Sequence, residues 1–264
     1  MNYQEIIAFL QAQGTWVNRD FQTRDHILFE AQQQTLHKVG VCWVMTKQVL
    51  KQAIQQEISF IITHENPFYQ CSTKMMSAAI HSAEEKKRLL SEHSITVYRC
   101  HDVWDLIPQV GVSDQWAKRL GFTFDERKIT SYYQSANIPE MSVAQLAKHI
   151  ANALSQDGEE GVYVFGDIHK KIHRIAIGTG AATNIYAMLP YQPDAVIVSE
   201  DGMQTYDAGQ YAIDQNIPMI VVQHSCSEKA GIKAMVPYLS QHFPDIDVTY
   251  LDDGYHVSYF LGNS

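Results

Sequence analysis

The sequence predicts an α/β fold: two related α/β lobes with mixed, largely parallel sheets that face a shared cleft. Three observations lead there. Short apolar runs rich in Val and Ile alternate with segments of helical period, which is the pattern of strand–helix–strand units. Two of those runs end alike: Ile95-Thr96-Val97-Tyr98-Arg99-Cys100-His101 with Asp105 beyond it, and Ile217-Pro218-Met219-Ile220-Val221-Val222-Gln223-His224 with Glu228 beyond it. The halves can also be laid over one another in order. Val41 to Thr46, a helix, then Ile61 to Glu65 matches Ile175 to Thr183, a helix, then Ile197 to Asp201. Identity between the copies is thin, and convergence of common βα units would give the same pattern.

Each element has its own signal. Residues 2–13 carry Ile6, Ile7, Phe9 and Leu10, the face of a short amphipathic helix. Residues 14–37 are polar and irregular. Lys38 to Met45 is a buried strand, and Thr46 caps a helix with Val49, Leu50 and Ile54 on one face. Ile58 to Thr63 is a second strand. Pro67 bars a helix from starting at Asn66, so His64 and Glu65 fall on a loop at the strand end. A helix over 75–92 and a strand over Ile95 to Cys100 follow. Ser113 caps a helix that turns Trp116, Ala117 and Leu120 inward and ends at Gly121.

After a polar stretch, Glu140 to Leu154 is helical. Val162 to Phe165 and Ile172 to Ile177 are expected as neighbouring strands with Gly166-Asp167 in the turn. Gly178 to Thr183 leads into a helix, Ala195 to Val198 is a strand ending at Ser199-Glu200-Asp201, and Gln204 to Asp214 is helical. The next strand stops at His224, before a helix that opens with Glu228 and runs over about 229–242. Two closing strands fall near 246–250 and 255–260. The lobes are placed at 1–127 and 128–264, with the closing strands free to return to the first.

The 264 residues suffice for one large domain or two packed ones. A net charge of −9 argues against general nucleic-acid binding, because phosphate contact needs a basic face. No segment approaches the roughly 20 apolar residues needed to cross a bilayer, so no membrane partner is expected. The N-terminus lacks the basic and apolar regions of a signal peptide. Cys42, Cys71, Cys100 and Cys226 form no Cys-x-x-Cys pair, which suits a reduced, cytoplasmic protein with free thiols.

Ligands of such sheets gather at the carboxyl ends of strands, where His64, His101, Glu200 and His224 all fall. Imidazole with carboxylate, without thiolate clusters, suits zinc, iron or manganese. Asp105 and Glu228 can each bridge cations, and a metal pair about 3.5–4 Å apart would activate water and clamp both oxygens of a displacement. A packed, hydrogen-bonded histidine is the alternative for any one of these residues. Gly178-x-Gly180 after a strand could hold an anion on its backbone N–H groups, although a tight turn serves the sequence as well. It is neither a Rossmann fingerprint, since Thr183 stands at the third Gly, nor a P-loop. Asp207 and Tyr206 could reach the cleft as a base or orienting group, although an exposed helical acid suits the pattern better; Cys226 reads as no nucleophile, and Cys100 as a buried strand residue.

These residues resemble a known family over almost the whole length. It is the NGG-interacting-factor-three-like family, also labelled dinuclear-metal, toroidal-hexamer proteins or GTP cyclohydrolase type 2 homologues. An Ile-Ile-Thr-His-His-Pro type loop corresponds to Ile61-Ile62-Thr63-His64-Glu65-Asn66-Pro67-Phe68. A His-Thr-Asn-Leu-Asp type motif corresponds to His101-Asp102-Val103-Trp104-Asp105, and a Gly-Gly-Val-Asn-Asp type stretch to Val110-Gly111-Val112-Ser113-Asp114. A Thr-Gly-Glu type strand end corresponds to Val198-Ser199-Glu200, and a Gly-His-x-x-x-Glu motif to Gln223-His224-Ser225-Cys226-Ser227-Glu228.

The resemblance implies a dinuclear centre of divalent ions (Zn, Fe or Mn, two per chain) and a ring-shaped homohexamer. It places metal ligands at His64, Asp105, His224 and Glu228, with Glu65 and His101 near or in the shell. The chain departs from the pattern at Glu65, where the family has a second His, at Val44 in place of an Asp, and at Asp207 in place of a His. Glu65 can still ligate these metals, with a more anionic character. The leading expectation is a metal-dependent, hydrolase-like protein acting on a small molecule, phosphorylated or nucleotide-like. The alternatives are a non-catalytic hexameric metal-binding scaffold that recruits a protein partner, and, resting on the Gly178 loop and the α/β pattern, a dinucleotide-binding enzyme.

Overall fold

The structure, a computed structural model, describes residues 2–18, 20, 23–32, 35–69 and 77–260. In chain order its helices and strands are α1 (Tyr3–Gln13), β1 (His26–Phe29), β2 (Lys38–Val44), α2 (Lys47–Gln55), β3 (Phe60–Glu65), α3 (Ser77–Glu92), β4 (Thr96–Arg99), α4 (Asp102–Leu106) and α5 (Val112–Leu120). Then come β5 (Gln134–Ser142), α6 (Val143–Leu154), β6 (Tyr163–Phe165), β7 (Lys171–Ile177), α7 (Ile185–Met188), β8 (Ala195–Ser199), α8 (Gln210–Asp214), β9 (Met219–Val222), α9 (His224–His242) and β10 (Asp247–Tyr250). The α/β class expected from the alternation is what the chain adopts.

Two compact units divide these elements: Met1–Gly111 with Ile232–Gly254, and Val112–Gly231 with Tyr255–Ser264. The chain therefore passes between units at 111/112 instead of the 127/128 boundary read from the sequence. The reason is α5, whose Trp116, Ala117 and Leu120 pack into the core of the second unit.

The first unit is built on a five-stranded sheet in the order β1-β4-β3-β2-β10. β10, β2, β3 and β4 run parallel, and β1 pairs antiparallel with β4. β2 and β3 are buried almost throughout, as continuous Val and Ile runs of a sheet covered on both faces require. Cys42, Met45, Val49, Leu50, Ile61, Leu90 and Val97 share one cluster, which joins β2, β3 and β4 to α2 and α3. Each fully buried Leu or Ile side chain contributes about 1.5–3 kcal/mol. Thr46 caps α2 as the sequence suggested, accepting from the Val49 N–H at 3.3 Å.

The second unit has the order β5-β7-β8-β9-β6. β7, β8 and β9 are parallel, and β5 and β6 are antiparallel edges. Alternation splits the apolar residues between two clusters. Ile175, Ile177, Ala195, Ile197, Ile220 and Val222 meet α5 and α6, while Ala176, Val196, Val198, Met219 and Val221 meet α7 and α8. Topologically β7-β8-β9 repeats β2-β3-β4, each trio being adjacent, parallel and in chain order, and each last strand has an antiparallel edge partner.

Six readings are corrected. The stretch called irregular holds β1, and β5 runs through residues assigned partly to a helix, so α6 starts only at Val143, capped by Ser142. Both missed strands are edges with one antiparallel partner, which need no apolar run. β5 carries Pro139 where its register shifts between Asn137 and Met141, a place that tolerates a missing N–H. β6 and β7 do not form the expected hairpin. β7 already has β5 and β8 beside it, and β6 pairs with β9, Tyr163 facing Val221. His64 and Glu65 are the last residues of β3 and not a loop. α9 starts at His224, before Glu228. Of the closing strands, only β10 forms; Val257 makes a single bridge to Glu159. The expected helix at 75–92 begins among described residues at Ser77.

Candidate metal sites

In the first unit, β3 and β4 end side by side and deliver His64 and His101. His64 is 1% exposed, and its Nδ1 lies 3.2 Å from the Cys100 carbonyl. A carbonyl only accepts, so Nδ1 carries the proton and Nε2 presents a lone pair. That Nε2 lies 3.4 Å from Asp105 Oδ1. His101 stands just before the first residue of α4 and Asp105 follows one turn later, which brings His101 Nδ1 to 3.0 Å from Asp105 Oδ2. The two imidazoles stack, with centroids 4.3 Å apart and planes at 7°. His64, His101 and Asp105 each offer one ligand atom within 4.8 Å of the others.

Glu65 lies at the rim of this group. Its Oε1 is 3.5 Å from His101 Nε2, and its Oε2 accepts from Arg99 at 2.6 Å. Arg99 also donates from Nε to the His64 carbonyl at 2.9 Å. Burial opposes a charge on His101, but the carboxylates of Asp105, Asp102 and Glu65 outweigh it and raise its pKa well above the usual imidazole value. Positive charge is therefore favoured at this point, whether a proton or a cation supplies it.

In the second unit, His224 opens α9 directly after β9, and Glu228 follows one turn on. His224 Nε2 lies 3.2 Å from Glu228 Oε1, and Nδ1 lies 2.5 Å from Asp201 Oδ2. Glu200 Oε2 accepts the His224 backbone N–H at 2.5 Å, at the positive end of the helix. Burial pulls the His224 pKa down, yet Glu228 and Asp201 push it up to about 11. Glu228 is 3% exposed. Glu200, Asp201 and His224 also qualify as a ligand group.

The Gly178–Thr183 loop has a clear part here. Gly180 has φ +50° and donates its N–H to Ser227 Oγ at 3.0 Å, while Ser199 Oγ donates to the Gly180 carbonyl at 2.6 Å. A Cβ on Gly180 would overlap Glu228 Oε1 and lie 2.7 Å from His224 Nε2. Glycine lets the loop close over the His–Glu pair. Beside it, a recess of about 170 Å³ is lined by Asn184, Tyr186, Asp201, Gln204 and Asp207. Asp207 accepts from the Tyr186 hydroxyl, and Tyr206 is 95% exposed.

Of the six residues singled out from sequence, His64, Glu65, His101 and Asp105 come together in the first unit, and His224 and Glu228 in the second. Asp201, which fixes the His224 ring, and Arg99, which fixes Glu65, carry no motif of their own. Asp25 is also new. It precedes β1 and accepts from the N–H groups of His101 and Val103 at 2.5 and 3.0 Å. Cys226 is buried, its Sγ 3.6 Å from the Asp157 carbonyl, and burial pushes its pKa to about 12, so it is no nucleophile. Cys42 and Cys100 are likewise buried free thiols, and Cys71 lies outside the described residues. The donor set is nitrogen and oxygen only, with tautomers fixed by neighbours, which fits a divalent zinc, iron or manganese ion. Among the described residues no helix is long and apolar enough to cross a membrane.

Residues 1–253 match the family model described as Duf34/NIF3 (NGG1p interacting factor 3). A Pseudomonas aeruginosa protein named GTP cyclohydrolase 1 type 2 homolog is 25% identical over 201 residues, covering 74% of this chain and 75% of its own. A Staphylococcus aureus hypothetical protein of known structure superposes with a TM-score of 0.80 at 17% identity, over 98% of this chain and 99% of that one. A Bacillus cereus protein related to NIF3 superposes at 0.78 with 12% identity, over 100% and 99%.

Proposed function

From the premise that this chain belongs to the Duf34/NIF3 family, we propose that it is a metal-dependent, hydrolase-like protein that takes two divalent ions per chain. The observation that carries the proposal is the repeated His–carboxylate pair: the buried His101 with Asp105, and the part-buried His224 with the buried Glu228, each one helical turn apart at the end of a parallel strand. His64, His101 and Asp105, with Glu65 beside them, would hold one ion, and His224 and Glu228 the other.

Bound at these positions, a divalent ion would supply a Lewis acid and lower the pKa of water, the chemistry of hydrolysis. The chain's own residues do the rest. The Cys100 carbonyl holds the His64 proton on Nδ1 and keeps Nε2 directed at Asp105. Asp201 does the same for His224 from the other side, accepting the Nδ1–H hydrogen bond so that Nε2 faces Glu228. Glu200 holds the His224 backbone, and its own pKa is raised by burial. The recess beside Asp201 has the size of a small polar molecule and offers the Gln204 amide, the Tyr186 hydroxyl and carboxylates for orientation. The substrate would be small, phosphorylated or nucleotide-like, in keeping with the name of the Pseudomonas relative.

Metal-replete protein assayed on panels of phosphoesters and cyclic amides tests the reading. Hydrolysis of at least one compound, lost at least 100-fold in Asp105→Asn and in His224→Ala, is expected. No turnover by protein that demonstrably carries its ions would leave the other reading, a metal-binding scaffold. A homohexamer is proposed with either reading, and light scattering would reveal a monomer if it is wrong.

A further inference from the structure

α4 has five residues, too few to hold a helix by itself, and its N-cap, His101, makes no side-chain capping bond. The His101–Asp105 pair nevertheless needs that turn, because only helical backbone puts the two one above the other at 3.0 Å. The missing cap comes from the segment before β1. Asp25 is 4% exposed; its Oδ1 accepts the His101 N–H at 2.5 Å and its Oδ2 the Val103 N–H at 3.0 Å. Those are donors that a helix start leaves without an intrahelical partner. Thr23 Oγ lies 3.0 Å from Asp25 Oδ2 and 2.9 Å from Asp102 Oδ2, and it accepts the Asp25 N–H at 3.1 Å. Asp102 Oδ2 accepts the Arg24 N–H at 2.8 Å. Thr23, Arg24 and Asp25 thus grip residues 101–103 through both backbone and side chain.

We infer that Asp25 is a positioning residue for the metal site of the first unit: its carboxylate supplies the cap that sets the distance and angle between His101 and Asp105. A buried carboxylate is a costly cap, since its charge is desolvated, and burial raises its pKa despite the two N–H groups. Asparagine in the same place offers one acceptor oxygen instead of two and adds a donor that faces donors. Asp25 itself touches no ion. The inference rests on the metal-binding reading above and adds the residue that makes the ligand spacing possible.

The test is a cobalt(II) titration followed by visible absorption, in a His224→Ala background so that the ion reports on the first unit. Asp25→Asn is expected to weaken cobalt binding by about 10- to 100-fold and to shift the ligand-field bands, as loss of a hydrogen-bonding partner behind a ligand does. Thr23→Val, which keeps the carboxylate, is expected to weaken it several-fold. Circular dichroism confirms that each variant is folded at the titration temperature. Parent-like affinity and bands in both folded variants would overturn the inference. No cobalt binding by the His224→Ala parent would overturn the metal reading, and this inference with it.

Discussion

At the residue scale, Gly180 connects the loop to the site. Its positive φ and the space taken by Glu228 both exclude a side chain. Gly180→Ala is expected to destabilise the fold by at least about 1–2 kcal/mol, the cost of an L-residue in the left-handed region. A urea midpoint equal to that of the parent would show that the loop does not press on the His224–Glu228 pair as described. The sequence displayed Gly178-x-Gly180 plainly, but periodicity cannot say what a glycine leaves room for. The same limit applies to Asp201 and Arg99. Their roles come from reaching across to another strand end, which no local pattern encodes. His64, His101, Asp105, His224 and Glu228 were legible because strand ends and a spacing of four are local properties of the chain.

At the scale of elements, strands buried on both faces declared themselves as Val and Ile runs, and edges did not. β1 and β5 each have one partner, so polar residues and Pro139 are tolerated there. Pairing order was hidden too: β6 leaves β7 for β9. The exit of β9 has its own fastening. Both oxygens of Glu159 accept the Gln223 N–H, at 2.9 and 3.1 Å, and the Tyr259 hydroxyl donates to Oε1 at 3.1 Å. Burial raises the Glu159 pKa from 4.5 to about 7, against these bonds. The folded state thus binds the proton more tightly than the unfolded chain. Stability contributed by this group is full below about pH 4.5 and falls as pH rises through about 7. Glu159→Gln is expected to flatten that loss when urea midpoints at pH 5 and pH 8 are compared. A loss of the same size in parent and variant would contradict the assignment.

At the scale of the whole molecule, the repeated trio of parallel strands explains why one chain carries two His–carboxylate pairs. Each copy ends a strand in His, turns into a helix and places an acid one turn on. In the first copy the acid is Asp105 on a short helix that needs Asp25; in the second it is Glu228 on a long helix that starts at the His itself. The family match over residues 1–253 covers both copies. Arg99 pairs with one oxygen of Glu65 and leaves the other toward His101. The most direct measurement is elemental analysis of untagged protein purified without chelator, beside His64→Ala and His224→Ala. The account predicts about two zinc, iron or manganese ions per chain in the parent and about one in each variant. A parent protein that takes up no ion, even after incubation with zinc, manganese and ferrous iron, would contradict it.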